Sequence, residues 1–133
     1  MDIAQLPEYF KTTTGTSVLS TCDSDGQVNS AVYARPRFFP DGRIGFIMLD
    51  HLSHANLQSN PRAAYLFIEE GKGYEGVRLH LKKVDEERNT QRVKECLEER
   101  GKGKFINQTC FLVFFEIERI LPLVTKPKVT WKL

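Results

Sequence analysis

The chain has 133 residues, the size of one globular domain, and its hydrophobic fraction of 41% is enough to bury a core without metals or disulfides. Its net charge of +2, with lysine and arginine scattered along the chain, gives no reason to expect nucleic acid as a partner. Its three cysteines form no C-x-x-C pair, which favours reduced thiols. Its N-terminus has no signal-peptide pattern, and no apolar run approaches the roughly 20 residues that span a bilayer. We therefore expect one cytoplasmic domain over residues 1–133 with no membrane partner.

The N-terminal residues are spaced as a short helix. Ile3, Leu6 and Phe10 fall on one helical face, and Pro7 is compatible with a first turn because its missing N–H would have no helical partner there. Residues 12–22 are rich in threonine, valine and serine, which predicts a strand.

Two turns divide the next part of the chain into further strands. The compositions of residues 23–26 and 40–42 are typical of turns, and they separate predicted strands at 28–39 and 43–49. Pro36 has no N–H donor and marks a bulge or an edge within its strand. Three strands joined by short turns predict an antiparallel meander.

The second half of the sequence mixes helices and strands. Residues 52–60 predict a short helix that ends before Pro61, and the charged segment 85–100 predicts a surface helix capped by Asp85 and ended by Gly101. Three apolar or alternating segments predict strands at 62–69, 77–84 and 110–121. The whole pattern predicts a mainly β (α+β) fold with short helices, in which six antiparallel strands form a closed or nearly closed barrel.

No self-sufficient catalytic motif is present, and catalytic residues are not predicted. The pattern Gly71-x-Gly73-x-x-Gly76 resembles a dinucleotide fingerprint, but it lies between two strands and opens no helix, so it predicts a flexible connection. Tyr74 in this loop is interpreted as an exposed loop residue, with a cover over a binding site as the alternative.

The strand-to-helix junction at residues 50–57 is the first candidate binding site. The first N–H groups of a helix have no partner within it, and the helix dipole favours an anion there, so Ser53, His51 and His54 could complete a phosphate site. The alternative is that Ser53 only caps the helix and the histidines are exposed. Apart from Asp50 no further ligand supports a metal site, and none is predicted.

Arg35 is the second candidate. It lies within the otherwise small or apolar segment 31–36, where a guanidinium indicates a nearby anion, although an exposed strand arginine is an equally valid interpretation.

The order of these pieces resembles the pyridoxamine 5'-phosphate oxidase-related flavin proteins. The resemblance rests on Tyr33-Ala34-Arg35-Pro36 and on Asn56-Leu57-x-x-Asn60-Pro61 followed by an apolar strand, and it covers the chain from about Thr16 to Leu121. It implies a six-stranded split barrel of the FMN-binding type, in which two subunits hold two FMN molecules at their interface. It implies that one set of residues lines the flavin (Ala31, Val32, Tyr33, Ala34, Arg35, Pro36, Phe46 and Ile47) and that another holds its phosphate (His51, Leu52, Ser53 and His54).

A homodimer is also expected from the residues themselves. Segments 65–68 and 112–115 carry apolar residues on both strand faces, more than one thin barrel is expected to cover. A small barrel is filled by its own side chains, so a flavin must lie outside it, where a second subunit can shield it from water.

Two departures from the family refine the functional expectation. Family members commonly place lysine or arginine in the phosphate turn, whereas this chain has residues 51–54 there and would rely on hydroxyl, imidazole and backbone donors together with Arg35. Residues 128–133 lack the substrate-binding arginine and tryptophan pattern of true pyridoxamine phosphate oxidases. We therefore expect an FMN-dependent oxidoreductase or flavin reductase that uses an unidentified small molecule or a nicotinamide reductant. The alternatives are a non-catalytic flavin electron-transfer protein and a haem- or deazaflavin-binding split barrel.

Overall fold

The structure is a computed structural model that describes residues 1–71 and 73–124, so the chain end at 128–133 lies outside the described residues. The helices are α1 (Leu6–Thr12), α2 (Leu52–Ser59) and α3 (Gln91–Glu99), with 3-10 turns at Ile3–Gln5 and Gly103–Phe105. The strands are β1 (Gly15–Cys22), β2 (Val28–Val32), β3 (Arg37–Phe38), β4 (Ile44–Leu49), β5 (Arg62–Glu69), β6 (Gly76–Arg88) and β7 (Cys110–Pro122).

The described strands form one antiparallel sheet in the order β2-β1-β5-β6-β7-β4-β3. The predicted mainly β class with short helices is confirmed. The predicted strand count is wrong, because the sheet has seven strands and β2 and β3 are unjoined edges. The long strands β6 and β7 pair along almost their whole length, and they join the β2-β1-β5 part of the sheet to the β3-β4 part.

The additional strand arises where the predicted strand 28–39 changes partner. Residues 28–32 pair with β1, whereas Arg37 and Phe38 pair with β4 at the other edge of the sheet. Pro36 lies just before the change and has no N–H to continue a ladder. The predicted meander is therefore wrong, because β2 and β4 are not neighbours.

The connection 33–36 shows that the sheet is strongly curved. Its backbone can span at most about 18 Å when fully extended. Seven strands laid flat would separate the edge strands by about 29 Å. Because so short a segment joins β2 to β3, the two edges must approach each other, which gives an open barrel rather than a flat sheet.

Both faces of the first half of β7, residues 110–115, are buried within the single chain. Phe111, Val113 and Phe115 belong to the main core inside the curved sheet, which also receives residues from α1, β4, β5 and β6. Leu112 and Phe114, on the opposite face, pack with one side of α3 in a second core. A second subunit is therefore not needed to cover residues 112–115, which removes that part of the argument for a homodimer. In the other segment, 65–68, Ile68 is 40% exposed.

Two predicted helices differ from the observed ones at their starts. The segment from Asp85 onward continues β6 as far as Arg88, because it pairs with the first half of β7. Helix α3 begins only after Thr90, whose hydroxyl accepts a hydrogen bond from the Val93 N–H at 3.3 Å. At the N-terminus Leu6 and Phe10 are buried as predicted, but Ile3 is exposed.

Candidate functional site

A cavity of about 430 Å³ opens beside the segment that joins the two edges of the sheet. Its walls come from residues 29–37, from β4, from the start of α2 and from the end of α3 with the residues after it. Phe46, Ile47 and Leu112 give the cavity an apolar surface. This size and lining are typical of a small-molecule site, for which about 300–1,000 Å³ is common.

The cavity brings together most of the residues that the sequence singled out. Predicted residues on its wall are Ala31, Val32, Tyr33, Ala34, Arg35, Phe46, Ile47, His51, Leu52 and Ser53. Two predicted residues, Pro36 and His54, do not line it. Pro36 is buried within the chain, at the point where the strand changes partner.

His54 faces the sheet instead of the cavity. Its ring stacks on Phe111 with ring centroids 3.6 Å apart and planes 15° apart. Its Nε2 lies 3.2 Å from both carboxylate oxygens of Glu86, and Gln58 contacts the same nitrogen. The His54 side chain is nearly inaccessible to solvent, so it cannot contact a phosphate in the cavity. Of the residues predicted to form the phosphate-binding turn, His51, Leu52 and Ser53 line the cavity.

The start of α2 presents hydrogen-bond donors to the cavity. The N-cap residue is His51, whose side chain makes no capping hydrogen bond, so the alternative interpretation of Ser53 as the cap is wrong. Ser53 lies inside the first turn, where it is buried and its hydroxyl is hydrogen bonded with the Tyr33 hydroxyl. Neither the N-cap side chain nor Ser53 therefore caps the N–H groups of this first turn, an arrangement that suits an anion.

Two tyrosines fix the segment that forms the opposite wall. The Tyr33 N–H donates to the Ser17 carbonyl at 3.1 Å, and the Tyr65 hydroxyl donates to the Ala34 carbonyl at 3.3 Å. Burial raises the pKa of Tyr33, and the hydrogen bond from Ser53 only partly offsets it. Burial also raises the pKa of Tyr65 to about 12, despite the opposing effects of Ser17, Arg35 and Arg100. Both phenols therefore stay protonated at neutral pH and do not act as bases.

Sequence reasoning missed the wall formed by the end of α3. This segment contributes cations at Arg100 and Lys102 and apolar surface at Leu97 and Phe105. The prediction treated α3 only as a surface helix. The signal that could have revealed the wall is the alternation of cations and glycines in residues 100–104, directly after the buried stripe of the helix.

The cavity is positively charged. Its wall carries Arg35, Arg37, Arg100 and Lys102, and the described residues that line it include no aspartate or glutamate. The charge of Arg37 is balanced by Glu99, which does not line the cavity; the Nη1–Oε2 distance is 2.6 Å. Desolvation lowers the pKa of the Arg100 guanidinium, and repulsion from Arg37 lowers it further, although arginine remains charged.

Other candidate groups do not add a reactive centre to the cavity. Cys96 lines the wall, but burial raises the pKa of its thiol, which keeps it protonated and unreactive. Tyr74 in the loop between β5 and β6 is exposed and does not line the cavity. Within residues 1–71 and 73–124, no group of three or more histidine, cysteine, aspartate or glutamate side chains could hold a metal ion, and no helix is long and apolar enough to cross a membrane.

Comparison with known proteins gives matches to solved structures only. No protein-family model and no curated protein matches the sequence. An FMN-binding protein from Syntrophomonas wolfei superposes with a TM-score of 0.75 at 22% identity, over 94% of this chain and 88% of that one. A candidate pyridoxamine 5'-phosphate oxidase from Lactobacillus delbrueckii gives a TM-score of 0.66 at 17% identity, over 91% and 93%. HutZ, a haem storage protein from Vibrio cholerae, gives a TM-score of 0.61 at 19% identity, over 91% and 94%.

These likenesses define the class of the protein by its fold. The chain has the split-barrel fold of the pyridoxamine 5'-phosphate oxidase-related proteins, and the resemblance predicted from its sequence is confirmed at that level. Proteins with this fold include an FMN-binding protein and a haem storage protein, so the fold alone does not select the cofactor.

Proposed function

We propose that this chain binds FMN in the cavity between residues 31–37, β4 and α2, and that it works as a flavin redox protein. The observation that carries the proposal is a cavity with an apolar surface, several cations and no carboxylate on its described wall. A tricyclic ring with a phosphate tail needs both kinds of surface. When bound, FMN supplies hydride- or electron-transfer chemistry of its own, which is consistent with the lack of a catalytic acid or base in the wall.

Each part of the wall has a role in this proposal. Phe46, Ile47 and Leu112 offer apolar surface to the ring system. Ser53 and the first N–H groups of α2 hold the phosphate, because a helix N-terminus favours an anion. The Ser53–Tyr33 hydrogen bond joins the two walls and keeps both hydroxyls in place. Arg35 contributes charge from the connecting segment.

The test is a titration of the purified, cofactor-free protein with FMN and with riboflavin, which has the same ring system and no phosphate. We expect FMN to bind at least about tenfold more tightly, because riboflavin lacks the charged group that the cations and the helix N-terminus would hold. Equal affinity for the two ligands would remove the phosphate from residues 51–53. Failure to bind either ligand would overturn the proposal.

Two activities remain within this proposal. The first is an FMN-dependent oxidoreductase or flavin reductase that acts on a small molecule with a nicotinamide reductant. The second is a non-catalytic electron-transfer protein with the same site. Oxidation of NADH or NADPH by the FMN-loaded protein, with and without free flavin as acceptor, separates them, because only the first activity consumes the nicotinamide.

Haem is the second candidate ligand, and one observation favours it. Of the three histidines in the sequence, His51 lines the cavity and is exposed, so its imidazole is available to an iron. His54 is committed to Glu86. The absorbance spectrum of the freshly purified protein distinguishes the candidates, because haem has an intense Soret band that flavins and deazaflavins lack. Loss of such a band in His51→Ala would assign the ligand.

We also propose that the chain forms a homodimer with the flavin at the subunit interface. The supporting observation is an apolar edge: Val28 and Val32 on β2 are 80% and 77% exposed, and Leu52 at the start of α2 is 57% exposed. Val32 and Leu52 also line the cavity, so a partner that covered this edge would also shield the ligand from water. Light scattering at micromolar concentration tests this, and Val32→Glu is expected to shift a dimer towards monomer.

A further inference from the structure

A second cavity, of about 410 Å³, borders the first one. It lies against residues 15–17 of β1, and the two cavities share five wall residues: Val32, Tyr33, Ala34, Arg35 and Arg100. The segment 32–35 therefore borders both cavities. A molecule in the second cavity would lie next to a ligand in the first.

The wall residues shared by the two cavities include two guanidinium groups without an acidic partner. Among the described residues, neither Arg35 nor Arg100 has a carboxylate within ion-pair distance, whereas the neighbouring Arg37 is paired with Glu99 at 2.6 Å. Two guanidinium groups on one wall repel each other, and an anion held between them relieves that repulsion. Desolvation and repulsion from Arg37 lower the pKa of Arg100, although the residue is still exposed to solvent.

The rest of the second cavity also suits an anion. Its described lining contains no aspartate or glutamate, and it contributes the hydroxyl-bearing residues Thr16 and Ser17. Ser17 is buried, and its side chain hydrogen bonds to Tyr65, so the floor of the cavity is fixed. The exposed Thr16 hydroxyl beside two planar guanidinium groups is a set of donors that proteins use for carboxylates and phosphates.

We propose that the second cavity binds the oxyanion, a carboxylate or a phosphate, of the small molecule on which the flavin acts, and that Arg35 and Arg100 hold it. The inference rests on the proposed flavin site in that it identifies the class of substrate, namely small anionic molecules. The anion would sit in the second cavity, and the reacting part of the molecule would extend into the adjoining first cavity towards the flavin.

The experiment uses simple probes and calorimetry, so that no turnover is required. Benzoate, phenyl phosphate and the neutral analogue benzamide are titrated into the FMN-saturated protein, in which the first cavity is filled. We expect one of the two anions to bind at least about tenfold more tightly than benzamide. The tighter anion identifies whether the site takes carboxylates or phosphates. Equal binding of benzamide and both anions, or no binding of any probe, would overturn the inference.

Thr16 provides a matched pair of variants, because it lines the second cavity only and is exposed. Thr16→Glu places a carboxylate beside the two arginines and is expected to weaken the preferred anion at least tenfold. Thr16→Gln has the same size without the charge and should change it less than threefold. Arg100→Gln is a second route to the same loss if Thr16→Glu does not fold. Equal anion affinity in the two Thr16 variants and in Arg100→Gln would contradict the inference.

The two proposals can fail separately. FMN affinity is measured directly in each variant so that every anion titration is carried out at FMN saturation, and Thr16→Gln is not expected to change the FMN affinity. A protein that binds FMN but discriminates none of the probes would retain the flavin site and lose the anion site. A protein that binds no FMN is titrated with the same probes without cofactor, and Thr16-dependent anion binding would then support the second cavity alone.

Discussion

Two clusters of polar and charged side chains lie on either side of the start of α2, and their charges are compensated differently. On the sheet side, the Glu86 carboxylate accepts hydrogen bonds from Lys83, Gln58 and His54, and its distance from the Lys83 ammonium is 2.6 Å. On the cavity side, Arg35, Arg100 and Lys102 face one another with no described acid among the wall residues. In the first cluster the charges are balanced by other side chains of the chain. In the second, we propose that a bound anionic ligand balances them.

The difference shows why charged residues cannot be assigned a role by their type. A paired charge with several hydrogen bonds holds elements together, and here the first cluster fixes α2 on β6. Several cations without an acidic partner at one cavity create a positive potential that favours the binding of an anion. His51 and His54 are three residues apart, yet one lies at the cavity and the other belongs to the first cluster.

The largest effect is expected from removing charge on the cavity side. Arg35→Ala should weaken FMN binding at least about tenfold, because one charged hydrogen bond is worth about 1.5–3 kcal/mol. Fluorescence titration with FMN measures the change. Arg62→Ala is the control, since Arg62 is paired with Glu118 on the surface and does not line the cavity. If both variants bind FMN as tightly as the parent, Arg35 does not contribute charge to the site.

A smaller loss is expected at the hydroxyl that joins the two walls. Ser53→Ala removes one neutral donor and leaves the backbone N–H groups of α2, so FMN affinity should fall about fivefold, or about 1 kcal/mol. Ser59→Ala, at the other end of the same helix, should leave the affinity unchanged, because that hydroxyl donates to the Asn56 carbonyl away from the cavity. Riboflavin should respond less than FMN to the Ser53 change. An equal loss for the two ligands would place the phosphate elsewhere.

Local sequence signals predicted much of this fold. Strand β5 has the predicted bounds, because Pro61 ends the preceding helix and an apolar run follows it. The split of the second strand was not foreseen, although Pro36 marked it, because pairing with opposite sheet edges depends on the closure of the whole sheet. The extension of β6 to Arg88 was missed for a similar reason. Its charged residues are typical of a surface helix, and they form a strand here because they pair with β7, which is distant in the sequence.

The candidate site was predictable to the extent that it is local. Residues 31–35 and 51–53 are contiguous segments with a recognisable order, and they do meet in the cavity. Arg100 and Lys102 were missed because they reach the cavity only through the packing of α3 on β7. The orientation of the His54 side chain could not be predicted from neighbouring residues either, because it depends on contacts with Phe111 and Glu86 on two strands distant in the sequence.

FMN affinity also distinguishes the two histidines. His51→Gln removes an imidazole from the cavity wall and should weaken FMN binding about threefold. His54→Gln should leave the affinity unchanged, because His54 does not line the cavity. Titrations of the three proteins with FMN at pH 7 measure this. A loss of affinity in His54→Gln alone would reverse the assignment.

The smallest effect concerns the first cluster and should appear in stability instead of binding. Partial burial raises the pKa of Glu86, but hydrogen bonds from Lys83, Gln58 and His54 outweigh it and lower the pKa to about 2, from an ordinary value of 4.5. A depressed carboxyl pKa stabilises the fold above about pH 4.5 and loses that contribution as the pH falls towards 2. Glu86→Gln should therefore be less stable than the parent at pH 7, by about 1 kcal/mol at most since solvent screens a partly exposed group.

The difference in the free energy of unfolding between Glu86→Gln and the parent should shrink as the pH approaches 2. Urea unfolding at pH 7, 4.5 and 3 measures it, and FMN affinity at pH 7 should be unchanged. A constant difference at all three pH values would mean that the Glu86 charge does not stabilise α2 on the sheet.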